Sequence, residues 1–233
     1  MPASLTPPRR RGVEILDLPD VDPQVVTRSL GDVARANALF GGISSALEEL
    51  KDALSDLPRC STLLDVGTGL GDIPSRARSF AAERGIDLTT VGLDSALELA
   101  RESRHAVSIA VCGDALHLPF ADRSIDVVMC SQLLHHFFGA DAAQLLREMD
   151  RVARVRVVVS DLRRSWIAAA GLWLVSFPLG FHAVSRHDGV VSVLRGFTRE
   201  ELSDTVKDAI ARKPVVHQRR GFRITASWTP VPR

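Results

Sequence analysis

Cysteine is scarce in this sequence. Cys60, Cys112 and Cys130, among 233 residues, are too few and too scattered for a disulfide framework or a zinc knuckle. A reducing, cytoplasmic location and no metal centre are therefore expected. Cys112 and Cys130 lie in apolar runs and are expected to be buried, inert thiols. An excess of one charge is also missing, since 29 Lys and Arg face 28 Asp and Glu. Without a global field to draw the chain onto nucleic acid or an anionic surface, the expected partner is a small molecule and not a nucleic acid. Behind the Pro- and Arg-rich start there is no apolar run, so residues 1–12 do not read as a signal peptide, and residues 1–20 are expected to form a flexible tail. With 45% apolar and 24% charged residues, the chain has neither a disordered nor a fibrous composition and has room for one sizeable core.

What is present is a change of texture along the chain. Residues 21–57 carry apolar residues at three- and four-residue steps, including Val26, Leu30, Val33, Leu47, Leu50 and Leu54, and predict a helical cap broken into two helices at Gly41-Gly42. From residue 58 to 233, short β-rich runs alternate with helical segments, the pattern of a mostly parallel sheet covered on both faces. The expected strands are Thr62 to Val66, Leu88 to Leu93, Val107 to Cys112, Ile125 to Cys130, Val155 to Ser160, Val215 to Arg219 and Arg223 to Trp228. Only Arg220-Gly221-Phe222 separates the last two, too short for a crossover helix, so they predict an antiparallel edge hairpin. The fold class is α/β, Rossmann-like, with seven strands and an apolar insertion over 163–197.

Four segments carry chemistry. Leu63-Leu64-Asp65-Val66-Gly67-Thr68-Gly69-Leu70-Gly71-Asp72 is an apolar strand running into a glycine-rich turn that opens a helix, whose free N–H groups suit a carboxylate-bearing ligand. Taken alone, it also fits an ordinary glycine loop. Val91-Gly92-Leu93-Asp94 ends the second strand on a carboxylate able to accept ribose hydroxyls or to cap the helix that follows. The third segment is Cys112-Gly113-Asp114-Ala115-Leu116-His117-Leu118-Pro119-Phe120, and the fourth runs from Asp126 to Phe137 through Ser131-Gln132 and His135-His136.

In this order and spacing, over about Leu63 to Asp161, the four segments resemble the class I S-adenosylmethionine-dependent methyltransferases, especially the ubiquinone and menaquinone biosynthesis enzymes and their small-molecule relatives. The resemblance implies S-adenosylmethionine as cofactor. It implies that Asp65, Gly67, Thr68, Gly69 and Gly71 cradle the methionine portion and that Asp94, with Ser95 beside it, anchors the ribose. Asp114 and Ala115 would clamp the adenine, with Ser131 and Gln132 flooring the pocket. The family's usual Pro-Gly-Gly before the fifth strand is replaced here by Arg151-Val152-Ala153-Arg154.

For an acceptor whose nucleophile must lose a proton, histidine is the side chain matched to neutral pH, and His136, His135 and His187 are the candidate bases. His187 is read in a loop, next to Asp188. Asn37 and Phe40 are expected lid residues. Arg195 is read as a substrate-oxygen ligand or as part of the helix start at Thr198 and Glu201, which fit a capping box. Ser165 to Val184 carries no formal charge and is long enough to span a bilayer. Its Gly171, Pro178, Gly180 and His182 favour a buried helix and lid instead, with Trp166 and its aromatic neighbours shaping a lipophilic pocket or touching a membrane surface peripherally. The expected reaction is O- or C-methylation of a small lipophilic or aromatic metabolite by a monomer or homodimer. N-methylation, a non-catalytic cofactor-binding protein and a nicotinamide oxidoreductase remain alternatives. Ser131-Gln132-Leu133-Leu134 stands where many nucleic-acid and protein methyltransferases carry an Asn- or Asp-Pro-Pro-aromatic tetrapeptide.

Overall fold

The computed structural model describes residues 6–18, 20–55 and 57–230. Five strands are parallel: β1 (Cys60–Val66), β2 (Asp87–Asp94), β3 (Ile109–Cys112), β4 (Ile125–Ser131) and β5 (Ala153–Leu162). With β6 (Val215–Arg219) and β7 (Arg223–Trp228) they form one sheet in the order β3-β2-β1-β4-β5-β7-β6, and the last two pairings are antiparallel. The expected strand set is present, with β3 shorter than expected because the Val107 N–H is taken by the Ser103 carbonyl. The helices are α1 (Pro23–Leu39), α2 (Gly42–Ser55), α3 (Asp72–Ala82), α4 (Leu97–Ser103), α5 (Ala140–Val152), α6 (Trp166–Ser176), α7 (Ala183–Arg195) and α8 (Arg199–Ile210).

Alternation along the strands divides the core in two. Leu64, Val66, Val128, Cys130, Val157 and Val159 pack with Leu145, Leu146 and Met149 of α5 and Leu202 and Val206 of α8. Their neighbours Leu63, Val127, Met129 and Val158 pack on the opposite face with Leu50 and Leu54 of α2 and Ala77 and Ala81 of α3. Each such leucine contributes roughly 1.5–3 kcal/mol by leaving water. Local signals agree: Thr198 caps α8 in a complete capping box with Glu201, worth about 1 kcal/mol. Where Pro-Gly-Gly is missing, arginines hold the turn into β5. Arg151 bonds Glu148, Asp122 and the carbonyls of Leu118 and Phe120, while Arg123 donates to the carbonyls of Asp150 and Ala153.

Above the carboxyl ends of the parallel strands, α1, α6 and α7 form a cap. Asp32 of α1 accepts from the Ser185 hydroxyl of α7 and from the N–H of His182, which caps that helix. The expected flexible tail is fastened to the same cap along residues 6–18. Asp188 accepts the N–H groups of Ile15 and Leu16, Arg164 donates to the Pro7 carbonyl, and Arg195 donates to the Gly12 carbonyl. Residues 1–5 and 19, also assigned to that tail, lie outside the described residues. Two further expectations change. Cys112 is exposed because β3 is the sheet edge, while Cys130 is buried. Ser185 to Gly189, read as a loop, lies inside α7. Among the described residues, no helix is long and apolar enough to cross a membrane.

Candidate active site

β1 delivers Asp65 to the sheet's carboxyl edge and breaks into the glycine turn. Gly67 has φ +72°, the left-handed region that favours glycine, and a Cβ there would stand 2.9 Å from Leu133 Cδ1, so that side chain would have to shift. The turn is tied to β2: Gly67 and Thr68 donate to the Leu93 carbonyl at 2.8 and 3.0 Å, and Gly69 donates to Asp94 Oδ2 at 3.0 Å. Asp94 Oδ1 accepts from Ala96 at 3.0 Å, yet α4 begins only at Leu97 with Ala96 as its cap, so Asp94 shapes the turn without capping the helix.

A cleft of about 190 Å³ lies over this turn, lined by Asp65, Gly67, Thr68, Gly69, Ser131 and Gln132 among others, with Val33 and Asn37 of α1 opposite. Gly71, Asp94, Ser95, Asp114 and Ala115 are outside its lining. Asp114 is exposed at the tip of β3, where its carboxylate accepts from Leu116 N–H and meets His117 Nδ1 at 2.8 Å, and the His117 contact holds its carboxyl below the usual range. Two buried polar atoms of the cleft have no hydrogen-bond partner, Asp65 Oδ1 and Ser131 Oγ. Burial pushes the Asp65 carboxyl up to about 7, against the Thr68 hydroxyl bond to its other oxygen. An open, desolvated carboxylate oxygen is suited to a cationic group. Gln132 is held at φ +54°, a conformation that residues other than glycine adopt rarely and chiefly where function requires it.

A second, larger cavity of about 400 Å³ adjoins the cleft, and the two share Val33, Asn37 and Gln132. Its walls are mostly apolar, with Phe40, Leu162, Ile167, Leu172, Val175, Phe181 and Phe222 among them. Asn37 and Phe40, the expected lid residues, line it, whereas Trp166 does not and is exposed on α6. Glu14, Asp32 and Asp188 also line it.

The expected bases and Arg195 are not in either lining. His135 is buried, its Nδ1 2.7 Å from Asp161 Oδ1 and its unpartnered Nε2 3.8 Å from Glu14 Oε1. His136 lies by Asp17 and Arg195; burial works against its protonation, but Asp17 and Glu14 outweigh it and hold its pKa above the ordinary value. His187 is half exposed and faces its neighbour Asp188. Arg195 is buried against the Gly12 carbonyl, Glu14 and Asp17, which occupies the donors expected for a substrate oxygen. Glu14, His135 and His136 come close enough to one another to hold an ion, a grouping the sequence did not suggest. The Arg195 guanidinium, 3.0 Å from Glu14 and 3.2 Å from His136 Nδ1, already supplies positive charge there. Two cavity residues escaped sequence reading: Glu14, because it lies in a segment read as tail, and Arg223, because it reads as an ordinary strand end.

Residues 64–159 match the family described as "Methyltransferase domain". The chain is 32% identical over 171 residues to a demethylmenaquinone methyltransferase of Roseiflexus sp. (strain RS-1), covering 68% of this chain and 70% of that one. Among solved structures it is similar to an S-adenosylmethionine-dependent methyltransferase from Aquifex aeolicus, with TM-score 0.59 and 15% identity over 80% of this chain and 89% of the other. It is also similar to magnesium protoporphyrin IX methyltransferase from Synechocystis PCC 6803 with bound S-adenosylmethionine, with TM-score 0.52 and 12% identity over 94% of this chain and 89% of the other. A mostly parallel sheet with its glycine turn under a capped cleft, a family match that begins at that turn and a relative sharing about a third of the aligned residues all agree, and the chain belongs to the class I S-adenosylmethionine-dependent methyltransferases.

Proposed function

We propose that this chain methylates a carbon or oxygen atom of a small lipophilic or aromatic metabolite held in the apolar cavity under α1, α6 and α7. The observation that carries this reading is the adjacency of the two spaces, which meet at Val33, Asn37 and Gln132. A cavity of about 400 Å³ is of the size that takes a small organic molecule. The name of the Roseiflexus relative points toward carbon methylation of a quinol ring.

When bound, S-adenosylmethionine supplies an electrophilic methyl group on a sulfonium. In this reading, Asp65 and Ser131 offer their open oxygens to the cofactor's polar groups, and Asp94 and Asp114 hold its nucleoside end at the strand tips. The cap excludes water and aligns the acceptor, and positioning of this kind supplies several kcal/mol of the barrier reduction, up to about 7–11. A proton leaving the acceptor passes to Glu14, which faces the cavity, with His135 and Asp161 ranged behind it. The exposed apolar residues Trp166, Ile167, Trp173, Leu174 and Phe177 on and beside α6 make a peripheral contact through which a lipophilic acceptor is drawn from a membrane surface.

The test is incubation with methyl-labelled cofactor and 1,4-naphthohydroquinone, and in parallel with a cell extract, followed by mass spectrometry. Label is expected on a ring carbon or oxygen of a lipophilic product. Absence of label from the quinol and from every small molecule of the extract overturns the reading.

A further inference from the structure

Arg223 is the first residue of β7, paired with Leu162 at the end of β5, and it lines the apolar cavity. It is 5% exposed. Its Nε has no hydrogen-bond partner, and among the described residues its guanidinium makes neither a hydrogen bond nor an ion pair. The nearby carboxylate is Asp161, but that side chain is committed to His135 Nδ1 and to the N–H groups of His135 and Leu162. Other buried arginines behave differently. Arg164, for instance, is held by the carbonyls of Pro7 and Gly196 and by Glu201.

A guanidinium stays charged in proteins, and leaving one buried without partners costs several kcal/mol. Burial pulls the Arg223 pKa down to about 10, still above neutrality. A fold keeps such a group where a ligand completes it. The cavity's three carboxylates do not fill that role, because each is already held by donors of the cap or of the N-terminal segment: Glu14 by Ser192 and Arg195, Asp32 by Ser185 and His182, Asp188 by Ile15 and Leu16. They belong to α1, α7 and the N-terminal segment packed on α7, while Arg223 stands on the sheet wall beside Leu162 and Phe222.

We infer that Arg223 is a specificity residue that receives an anionic oxygen group, a carboxylate or its equivalent, on an otherwise apolar acceptor. The inference rests on the cavity being the acceptor site. An apolar body fills the space between α6 and α7, and the oxyanion pairs with the planar fork of the guanidinium in two parallel hydrogen bonds.

The test compares two probes of equal ring size, 2-naphthoate and the neutral 2-naphthalenemethanol, by titration calorimetry of the full chain saturated with S-adenosylhomocysteine. The wild type is expected to bind the carboxylate about tenfold or more tighter than the alcohol. Arg223→Met is expected to abolish that preference while leaving alcohol binding unchanged, and Arg223→Lys to keep part of it. Without ligand, Arg223→Met is expected to melt no lower than the wild type, since no internal partner is lost. Equal binding of both probes by the wild type, or a preference that survives in Arg223→Met, overturns the inference and leaves the cavity reading standing. A lowered melting temperature in Arg223→Met together with the same loss in Arg223→Lys shows an internal structural partner and also overturns it. If neither probe binds, the cavity reading falls and the inference with it.

Discussion

Asn37 Oδ1 accepts a hydrogen bond from Gln132 Nε2 at 2.7 Å, and this contact stands where the cleft over the glycine turn meets the apolar cavity. Gly42, at the start of α2, makes room for it: a Cβ there would come within 2.9 Å of both atoms. Gly42→Ala is therefore expected to part the pair, and Asn37→Ala to remove it. A net hydrogen bond is worth about 1 kcal/mol, so each variant should weaken cofactor or acceptor binding about fivefold with a small loss of stability. Calorimetric titration and thermal melting check this, and unchanged binding in both variants would show that the contact is incidental.

Asp65 titrates near pH 7 in the folded chain, well above the ordinary carboxyl value. The folded state then holds a proton that the unfolded state has lost, so stability without cofactor falls as pH rises from about 4 to 7 and levels off above. Asp65→Asn is expected to flatten that dependence, leaving the variant more stable than the wild type at pH 8. A cation placed against the carboxylate draws its pKa down, so cofactor binding should release a proton near neutrality. Calorimetry in buffers of different ionisation enthalpy reads this directly, and binding with no proton release at pH 6.5 contradicts it.

Glu49 of α2 is the anchor of the edge hairpin. Burial alone would raise its pKa, but bonds from Ser227, Arg219, Thr225 and His217 bring it to about 2. A depressed carboxyl stabilises the fold above its unfolded pKa, near 4.5, and that contribution disappears as pH falls toward 2. Removing it by Glu49→Ala strands the buried donors and should cost about 3 kcal/mol, measured by urea unfolding at pH 7, with the difference from wild type shrinking in acid.

Glu14 and His136 should part company kinetically. Glu14→Gln is expected to lower kcat about a hundredfold, the usual scale of a lost proton acceptor, with little change in cofactor affinity. His136→Ala, whose ring lies outside both cavities, is expected to keep turnover within about threefold. The reverse ranking restores His136 as the base.

On α6, Trp173 and Leu174 are exposed. Sedimentation with phosphatidylglycerol vesicles is expected to carry down the wild type and to lose the Trp173→Glu variant, since a charge on an interfacial face opposes its burial. A wild type that stays in the supernatant removes the membrane contact.

Much of the architecture is fixed locally and could be read without coordinates. The short apolar run Leu63 to Val66, the glycines after it and the three-residue connection before Arg223 dictate strand, turn and hairpin, because backbone geometry leaves few other solutions. The order of these pieces then restricts the sheet to a doubly wound form. The loop residues Asp65, Gly67, Thr68 and Gly69 accordingly come together with Ser131 and Gln132 at one edge. What surrounds the second cavity was decided only by packing across long separations. Glu14 reaches it because the N-terminal segment lies against α7, Arg223 because an antiparallel strand starts beside the end of a parallel one, and the histidines are withdrawn because Asp161 and Asp17 claim them. No local period records such contacts, since each depends on the burial and charge of partners far away in the chain.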